Sequence, residues 1–298
     1  MHLTACCTYL SSLSKIPNIL VLNMAQIMDY VIASSRGKEM KVRLRNLHPD
    51  RYCLKSTAKS ALRLQDILDN LDSFLKPIKP HQMNTCNIYL IAGLCDVTYR
   101  DLDEDYYPNT PYDEVLFNET PDQAFQRVSS LIVELTSKIA ERGATPVIAT
   151  IVPSSLSQWN FIRLKQHKTA FLMHHNQYDS MQLNMVRTIH RLNKFILGVN
   201  NSYRMSTPML ASTLMKNVPG KDPRVHYGML GEDGVHPTDD LRDLWAAKLI
   251  KAMRDNRYKP SQVQDEPHFL DSSFDVLEAS LERSILERLN WDIANNRE

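Results

Sequence analysis

The chain has 298 residues, of which 43% are hydrophobic and 23% are charged, and its formal net charge is +1. This composition is typical of a globular protein with a large core, and the balanced charge gives no general reason to expect a nucleic-acid or membrane partner. No apolar run approaches the roughly 20 residues of a membrane span. The five cysteines lack regular spacing, so we expect neither a disulfide framework nor a zinc site, and an intracellular (cytoplasmic or nuclear) location.

The first elements of the chain are predicted from short apolar runs. Residues 1–15 are expected to be an N-terminal extension that lacks the basic region of a signal peptide. The run 16–22 (IPNILVL) predicts a buried strand, and residues 25–35 predict a helix that ends near Gly37. Residues 41–47 (KVRLRNL) alternate polar and apolar side chains, which is typical of a more exposed strand.

Clearer signals follow in the middle of the chain. Leucines and isoleucines between residues 62 and 75 recur at helical spacing, and prolines follow them. Residues 87–92 (NIYLIA) predict a buried strand closed by a glycine. The segment 120–123 (TPDQ) combines a capping threonine, a proline at the first helical position and a glutamine three residues after the cap. We therefore expect a helix that begins there and ends near Gly143.

The second half of the chain predicts one strand and three helices. The strand covers residues 145–152 (TPVIATIV), one long helix ends at about residue 198, and another begins at about residue 237. Residues 258–270 are polar and bounded by prolines, so they predict a linker. Residues 271–298 predict an acidic amphipathic helix, which is expected to dock on the domain itself or to bind a protein partner or a second copy through its apolar stripe.

Strands that alternate with longer helices indicate the α/β class. We expect a three-layer α/β/α sandwich around a central, mostly parallel sheet of flavodoxin-like type, formed by residues 16–257. Ligands of such sheets bind beyond the carboxyl ends of the strands. Those ends are therefore the first places to search for a functional site.

One turn near the end of this domain has the chemistry of a hydrolytic site. In the segment 231–238 (GEDGVHPT), Asp233 and His236 are three residues apart, which places an acid and an imidazole side by side. The structural alternative is that Asp233 only accepts backbone N–H bonds while His236 shapes the start of the next helix.

The order of elements, together with IYLIAGLCDVT, VIATIVPSSLSQWN and GEDGVHPT, resembles the SGNH (GDSL) hydrolase superfamily over residues 16–257. The resemblance implies a nucleophilic serine in a Gly-Asp-Ser after the first strand. It also implies an oxyanion hole that uses a glycine after the second strand and the asparagine of a Gly-x-Asn-Asp after the third. The final Asp-x-x-His supplies the acid and the base.

Only the last of these blocks is matched in full, by Asp233 and His236. Under the strand assignment above, Ala25 stands at the nucleophile position, Thr57 replaces the glycine of the second block and Cys95 replaces the oxyanion-hole asparagine. Ser34 and Ser35 would lie about 14 Å beyond the strand end on a helix, too far for His236 to activate. The remaining residues expected to line the cleft are Asn23, Met24, Gly93, Asp96 and Ser154.

The function predicted from this pattern is a catalytically inactive SGNH-like domain with a binding or scaffolding role. Losing a triad nucleophile costs roughly a millionfold in rate, and losing one oxyanion donor costs about 100- to 1,000-fold. One alternative is an atypical ester hydrolase or acyltransferase that uses Cys95, or a serine at 154–155, with His236 as its base.

A second alternative is a nucleic-acid-associated protein of a mobile element. It depends on the basic stretches 36–63 and 163–194, the first of which is the candidate surface for a polyanion. No membrane association and no cofactor are expected. His174 and His175 are adjacent and point in different directions on a helix, so they do not predict a metal site.

Overall fold

The computed structural model describes residues 27–37, 40–47, 54–59, 62–103, 112–117, 119–167, 175–216 and 221–257. The predicted strand at 16–22 and the predicted linker and amphipathic helix beyond residue 257 lie outside the described residues. The same holds for Asn23, Met24 and Ala25.

A parallel four-stranded sheet forms the centre of the molecule, as the sequence predicts. Its strands are Met28–Ser34 (β1), Leu54–Lys59 (β2), Cys86–Ile91 (β3) and Thr145–Ile148 (β6), in the order β2-β1-β3-β6. Every residue of β1 and β3 is buried. Strands covered on both faces are near-continuous apolar runs of this kind, and the predicted α/β class is confirmed.

The first strand corrects one prediction. Residues 25–35 were expected to form a helix, yet Met28–Ser34 is a strand that pairs with both β2 and β3. Its centre is Tyr30-Val31-Ile32, and aromatic and β-branched side chains favour strands. A run that is buried on all sides has no helical period, and a central strand accommodates it better than a helix does.

The segment after β1 corrects a second prediction. Residues 41–47 were expected to be an exposed strand, but Met40–Leu47 is a helix, α1. Met40 and Leu44 are buried whereas Val42 is 58% exposed. The buried positions therefore recur every four residues, which is the spacing of one helix face.

Seven further α-helices, two small antiparallel strand pairs and short turns of 3-10 helix complete the described chain. Helix Pro121–Glu141 (α5) follows the predicted Thr120 cap, and at its start the Thr120 hydroxyl accepts the Gln123 N–H. None of the described helices has the length and apolar content needed to cross a membrane. The remaining elements are α2 (Leu64–Asp69), α3 (Leu71–Leu75), α4 (Leu94–Val97), β4 (Tyr99–Asp103), β5 (Tyr112–Leu116), α6 (Leu156–His167), α7 (His175–Ser202), β7 (Met215–Lys216), β8 (Arg224–Val225) and α8 (Asp239–Arg257).

The helices form two groups on opposite faces of the sheet. Helix α1 contacts α8, whereas α5 contacts α2 and α7. The connection from β1 to β2 runs along the sheet in the opposite direction to those from β2 to β3 and from β3 to β6. Right-handed crossovers therefore place α1 on one face and α2 and α5 on the other. This is the predicted three-layer sandwich.

The outer edge of β6 is covered by side chains of α7 instead of another strand. The Asn200 amide bonds the backbone N–H and C=O of Ile148, at 2.9 and 2.7 Å. About two turns earlier on the same face of α7, Asn193 does the same for Ile151, at 2.7 and 2.9 Å. These amides satisfy backbone groups that an open edge would leave unpaired. They also fix the segment that leads from β6 to the site.

Candidate functional site

The sheet has its topological switch point at the carboxyl ends of β1 and β3. The chain leaves these two neighbouring strands in opposite directions, so a crevice opens beyond their ends. Ser35 follows β1 directly and Gly93 follows β3 after one residue. Thr57, predicted to follow the second strand, lies within β2 instead and pairs with Ile32. The structure therefore places Thr57 inside the second strand and not beyond its end.

Ser35 begins a tight turn that leads from β1 towards α1. Residues Ser35–Gly37 form one turn of 3-10 helix. A Cβ atom on Gly37 would lie 2.3 Å from the Cβ of Ala33, so the chain folds back this closely only because residue 37 is glycine. The turn leaves Ser35 half-buried, between a buried Ser34 and a buried Arg36.

The loop before α8 holds Asp233 and His236 in fixed relative positions. One carboxylate oxygen of Asp233 accepts the backbone N–H groups of Val235 and His236, both at 2.9 Å. Gly234, which follows Asp233, has a φ of 64°, and a Cβ atom on it would lie 2.7 Å from Gln158. The turn therefore requires glycine at this position. It directs the second carboxylate oxygen of Asp233 to the imidazole.

Ser35, His236 and Asp233 form a hydrogen-bonded relay. The Nδ1 atom of His236 lies 2.5 Å from Oδ2 of Asp233, and its Nε2 atom lies 3.3 Å from Oγ of Ser35. With Nδ1 protonated, Nε2 is free to accept the serine proton. This is the relation of nucleophile, base and orienting acid in a serine hydrolase, with the looser first contact that is common in unliganded sites.

The prediction that Ser35 is too far from His236 is therefore wrong. It depended on a first strand at residues 16–22, which put a helix where β1 lies. Once Met28–Ser34 is the strand, the residue that follows it is Ser35 and not Ala25. Ala33-Ser34-Ser35 then stands where the resemblance implies Gly-Asp-Ser. The aromatic and β-branched run before two serines was the signal that was available in the sequence.

The electrostatics of Asp233 suit the role of orienting acid. Partial burial alone would raise the pKa of this carboxyl group. The hydrogen bonds from the His236 ring and from the backbone N–H groups of His236 and Val235 outweigh that effect, so the pKa is lowered. Asp233 is thus ionised at neutral pH and can stabilise a protonated imidazole.

Cys95 lies on α4, beyond the end of β3, and is half-buried. Burial raises the pKa of its thiol, although the positive charge of Arg36 acts in the opposite direction. A raised pKa leaves less thiolate at neutral pH, and the thiolate is the reactive form. These properties do not favour Cys95 as the nucleophile. It borders an open groove of about 880 Å³ that is also lined by Arg63 and Arg127.

Asp96, the next residue, has a mainly structural contact. Its carboxylate accepts the backbone N–H of Leu64 at 2.8 Å, at the start of α2. Burial raises the pKa of Asp96 from its ordinary value of 3.8 to about 6, even though the Leu64 and Gln65 N–H bonds and nearby arginines act to lower it. Asp96 therefore joins α4 to α2 and also lines the groove.

The two serines after β6, Ser154 and Ser155, are buried beneath the candidate site. The side chain of Ser154 is fully buried, and its hydroxyl has no hydrogen-bond partner among the residues that the structure describes. Ser155 is 5% exposed, its N–H donates to the Gly234 carbonyl at 2.8 Å, and its hydroxyl accepts the Gln158 N–H. Hydroxyls enclosed in this way are poorly placed to attack a substrate.

Several cations of the two basic stretches are engaged within the protein. Arg36 is buried, and Arg43 forms ion pairs with Asp239 and Asp243 of α8. In the second stretch, Arg187 pairs with Asp222 and Arg191 pairs with Asp122. These contacts reduce the positive charge available to a polyanion. Among the described residues, no group of three His, Cys, Asp or Glu side chains is placed to hold a metal ion.

Comparisons with known proteins give similarity at the level of the backbone. No protein-family model matches the chain, and no curated protein matches it. Among solved structures, a GDSL-like lipase from Bacteroides thetaiotaomicron is 13% identical, with a TM-score of 0.48, over 77% of this chain and 89% of that one. A member of the lipolytic G-D-S-L family from Veillonella parvula is 11% identical, with a TM-score of 0.47, over 76% of this chain and 98% of that one.

A lipase/acylhydrolase from Enterococcus faecalis gives a similar result. It is 14% identical, with a TM-score of 0.45, over 79% of this chain and 100% of that one. All three are proteins to which this chain is similar over more than three quarters of its length.

Proposed function

We propose that this protein is a serine ester hydrolase of SGNH type, with Ser35 as nucleophile, His236 as general base and Asp233 as orienting acid. The observation that supports this most strongly is the continuous relay from Ser35 Oγ to His236 Nε2, at 3.3 Å, and from His236 Nδ1 to Asp233, at 2.5 Å. Three side chains from two distant parts of the sequence meet in the order that acyl transfer requires.

The chemistry follows from the relay. Ser35 Oγ attacks the acyl carbon while His236 Nε2 takes the hydroxyl proton, and the carbonyl oxygen becomes an oxyanion. The intermediate collapses, the bond to the leaving alkoxide breaks, and His236 returns the proton to that alkoxide. Water then repeats the two steps on the acyl-serine, which releases the carboxylic acid and restores Ser35. Asp233 holds the imidazole in the required tautomer throughout.

The oxyanion hole is expected to be weaker than the resemblance implies. Cys95 stands where an asparagine amide would donate, and loss of one such donor costs about 100- to 1,000-fold in rate. We therefore propose slow turnover of activated esters.

The scaffolding role was expected because no nucleophile was recognised in the sequence. With Ser35 proposed as the nucleophile, there is no longer a reason to expect an inactive domain. The alternatives that use Cys95, Ser154 or Ser155 are less well supported than Ser35. The Cys95 thiol has a raised pKa, and the other two hydroxyls are buried.

The test is hydrolysis of p-nitrophenyl acetate by the wild-type chain, by Ser35→Ala and by the neighbouring Ser34→Ala as a control. We expect the Ser35 variant to fall to the background rate, a loss of up to roughly a millionfold, with the control close to wild type. Undiminished hydrolysis by Ser35→Ala would contradict the proposal, and so would a wild-type chain that turns over no activated ester.

A further inference from the structure

Arg36 follows the proposed nucleophile, and its side chain is buried to an unusual degree for an arginine. The residue is 5% exposed. Its Nη1 donates to the Val152 carbonyl at 2.5 Å, and its Nη2 donates to the Pro153 carbonyl at 3.3 Å. Burying a guanidinium is costly. Among the described residues, the hydrogen-bond partners that offset this cost are backbone carbonyls and not a carboxylate.

These two bonds complete a path through the site. Beyond Pro153, the backbone N–H of Ser155 donates to the Gly234 carbonyl at 2.8 Å. Gly234 is adjacent to Asp233 and packs tightly against Gln158 at the start of α6. The turn that contains the nucleophile is thereby connected, through the segment after β6, to the loop that contains the acid and the base. The Asn193 amide holds the same segment on its other side, at Ile151.

The charge of Arg36 also reaches more than one part of the site. The guanidinium interacts electrostatically with Cys95 on α4 and with Asp233 on the loop before α8. Burial lowers the pKa of Arg36 to about 10, with these two groups acting in the opposite direction, so the side chain is still cationic at neutral pH. In a low-dielectric environment, a fixed positive charge stabilises negative charge that develops nearby.

We propose that Arg36 is a positioning residue: it holds the Ser35 turn against the loop that carries Asp233 and His236, and it supplies a buried positive charge to the site. This inference rests on the proposed hydrolase function for its effect on the rate. The charge component has a second consequence that does not require any activity, because Arg36 lowers the pKa of the Cys95 thiol.

The experiment compares wild type with Arg36→Met, which removes both the bonds and the charge, and with Arg36→Lys, which keeps the charge but has one donor group. Arg43→Met is the matched control, because it removes a neighbouring cation that pairs with α8. We expect the methionine variant to lose about 100-fold in kcat, the effect of misplacing reacting groups by about 1 Å, with little change in KM. The lysine variant should lie between it and wild type.

The rate of alkylation of Cys95 by iodoacetamide is measured on the same proteins at mildly alkaline pH, together with their unfolding curves. It should slow in Arg36→Met and recover in Arg36→Lys, whereas a purely structural role would not separate the two variants. If the methionine variant does not fold, the lysine variant alone must show reduced kcat with retained Cys95 reactivity.

Wild-type kcat in a folded Arg36→Met variant, or Cys95 reactivity that is the same in all variants, would overturn the inference. Failure of the hydrolase proposal is recognised separately. In that case the wild-type chain has no esterase activity, while the Cys95 rates still test the charge of Arg36.

Discussion

The two ends of β1 place polar side chains in opposite environments. At its amino end, the fully buried carboxylate of Asp29 accepts two bonds from Arg257, at 3.0 and 2.5 Å, and one from Asn87 at 3.3 Å. At its carboxyl end, the half-buried Ser35 meets a His236 side chain that is 46% exposed. The first cluster joins the end of α8 to the sheet, and the second is open to solvent.

Asp29 and Asp233 differ in the electrostatic balance that sets their pKa values. Burial raises the pKa of Asp29 despite the opposing effect of Arg257. Asp233 is also partly buried, yet the hydrogen bonds that it receives outweigh burial and lower its pKa. One carboxylate is enclosed by partners that hold it in place. The other remains ionised and faces a ring whose second nitrogen can accept a proton.

The largest expected effect is a loss of activity when the carboxylate near the carboxyl end of β1 is changed. Asp233→Asn removes the charge that orients His236 and is expected to lower kcat about 10⁴-fold. The partly exposed site should lose little stability, because exposed ion pairs contribute at most about 1 kcal/mol. Steady-state kinetics and urea unfolding of the same preparation separate the two effects. A large loss of stability with normal kcat would contradict this prediction, because it would give Asp233 a structural role in place of a catalytic one.

The matching change at the amino end should affect folding instead. Arg257→Met leaves Asp29 buried without its cation, and loss of one partner of a buried pair costs about 3–5 kcal/mol. The raised pKa of Asp29 lets it take up a proton, so we expect the lower end of that range. The kcat of the folded fraction should equal that of wild type, and a fall in kcat as large as the one for Asp233→Asn would contradict the comparison.

A smaller effect is a gain in rate. Cys95→Asn restores the amide that the resemblance implies for the oxyanion hole, and one donor is worth about 100- to 1,000-fold when it is well placed. An introduced side chain rarely reaches the best geometry, so we expect about a tenfold rise in kcat with nitrophenyl esters. The control is Cys86→Ala, which removes a buried thiol on β3. A rate that falls in the asparagine variant would show that Cys95 itself contributes.

The smallest effect is a dependence of stability on pH. The pKa of Asp96 is about 6 in the folded protein against an ordinary value of 3.8, so the folded state binds a proton more readily than the unfolded state. The resulting stabilisation is complete below the unfolded value and is lost as the pH rises through the folded one. From pH 7 to pH 5, wild type should therefore gain about 1 kcal/mol relative to Asp96→Asn. Equal pH dependence of the two unfolding curves would contradict this origin.

Much of the fold could be predicted from local signals. The Thr120 cap and the apolar run of β3 each match a single element. The leucine spacing between residues 62 and 75 predicts one helix, and the structure has two short ones there, α2 and α3. The failures lie where a short apolar run has no diagnostic period. Residues 25–35 are compatible with a helix or a buried strand, and only pairing with β2 and β3 decides between them.

For the same reason, the sequence predicts the acid and the base of the candidate site but not the serine. Asp233 and His236 are close in sequence, so their spacing was informative. Ser35 is about 200 residues away, and its position depends on where β1 ends. Arg36 belongs to the basic stretch 36–63, for which an exposed surface is expected because arginine is seldom buried. Its burial follows from the turn at Ser35–Gly37, which no local sequence pattern predicts.

The most direct test of the central claim is covalent labelling of the wild-type chain with a fluorophosphonate, followed by mass spectrometry of the modified peptide. The relay in the structure predicts a single adduct on Ser35 that disappears in His236→Ala. The account would be contradicted by a chain that remains unlabelled, or by an adduct on Ser154, Ser155 or Cys95.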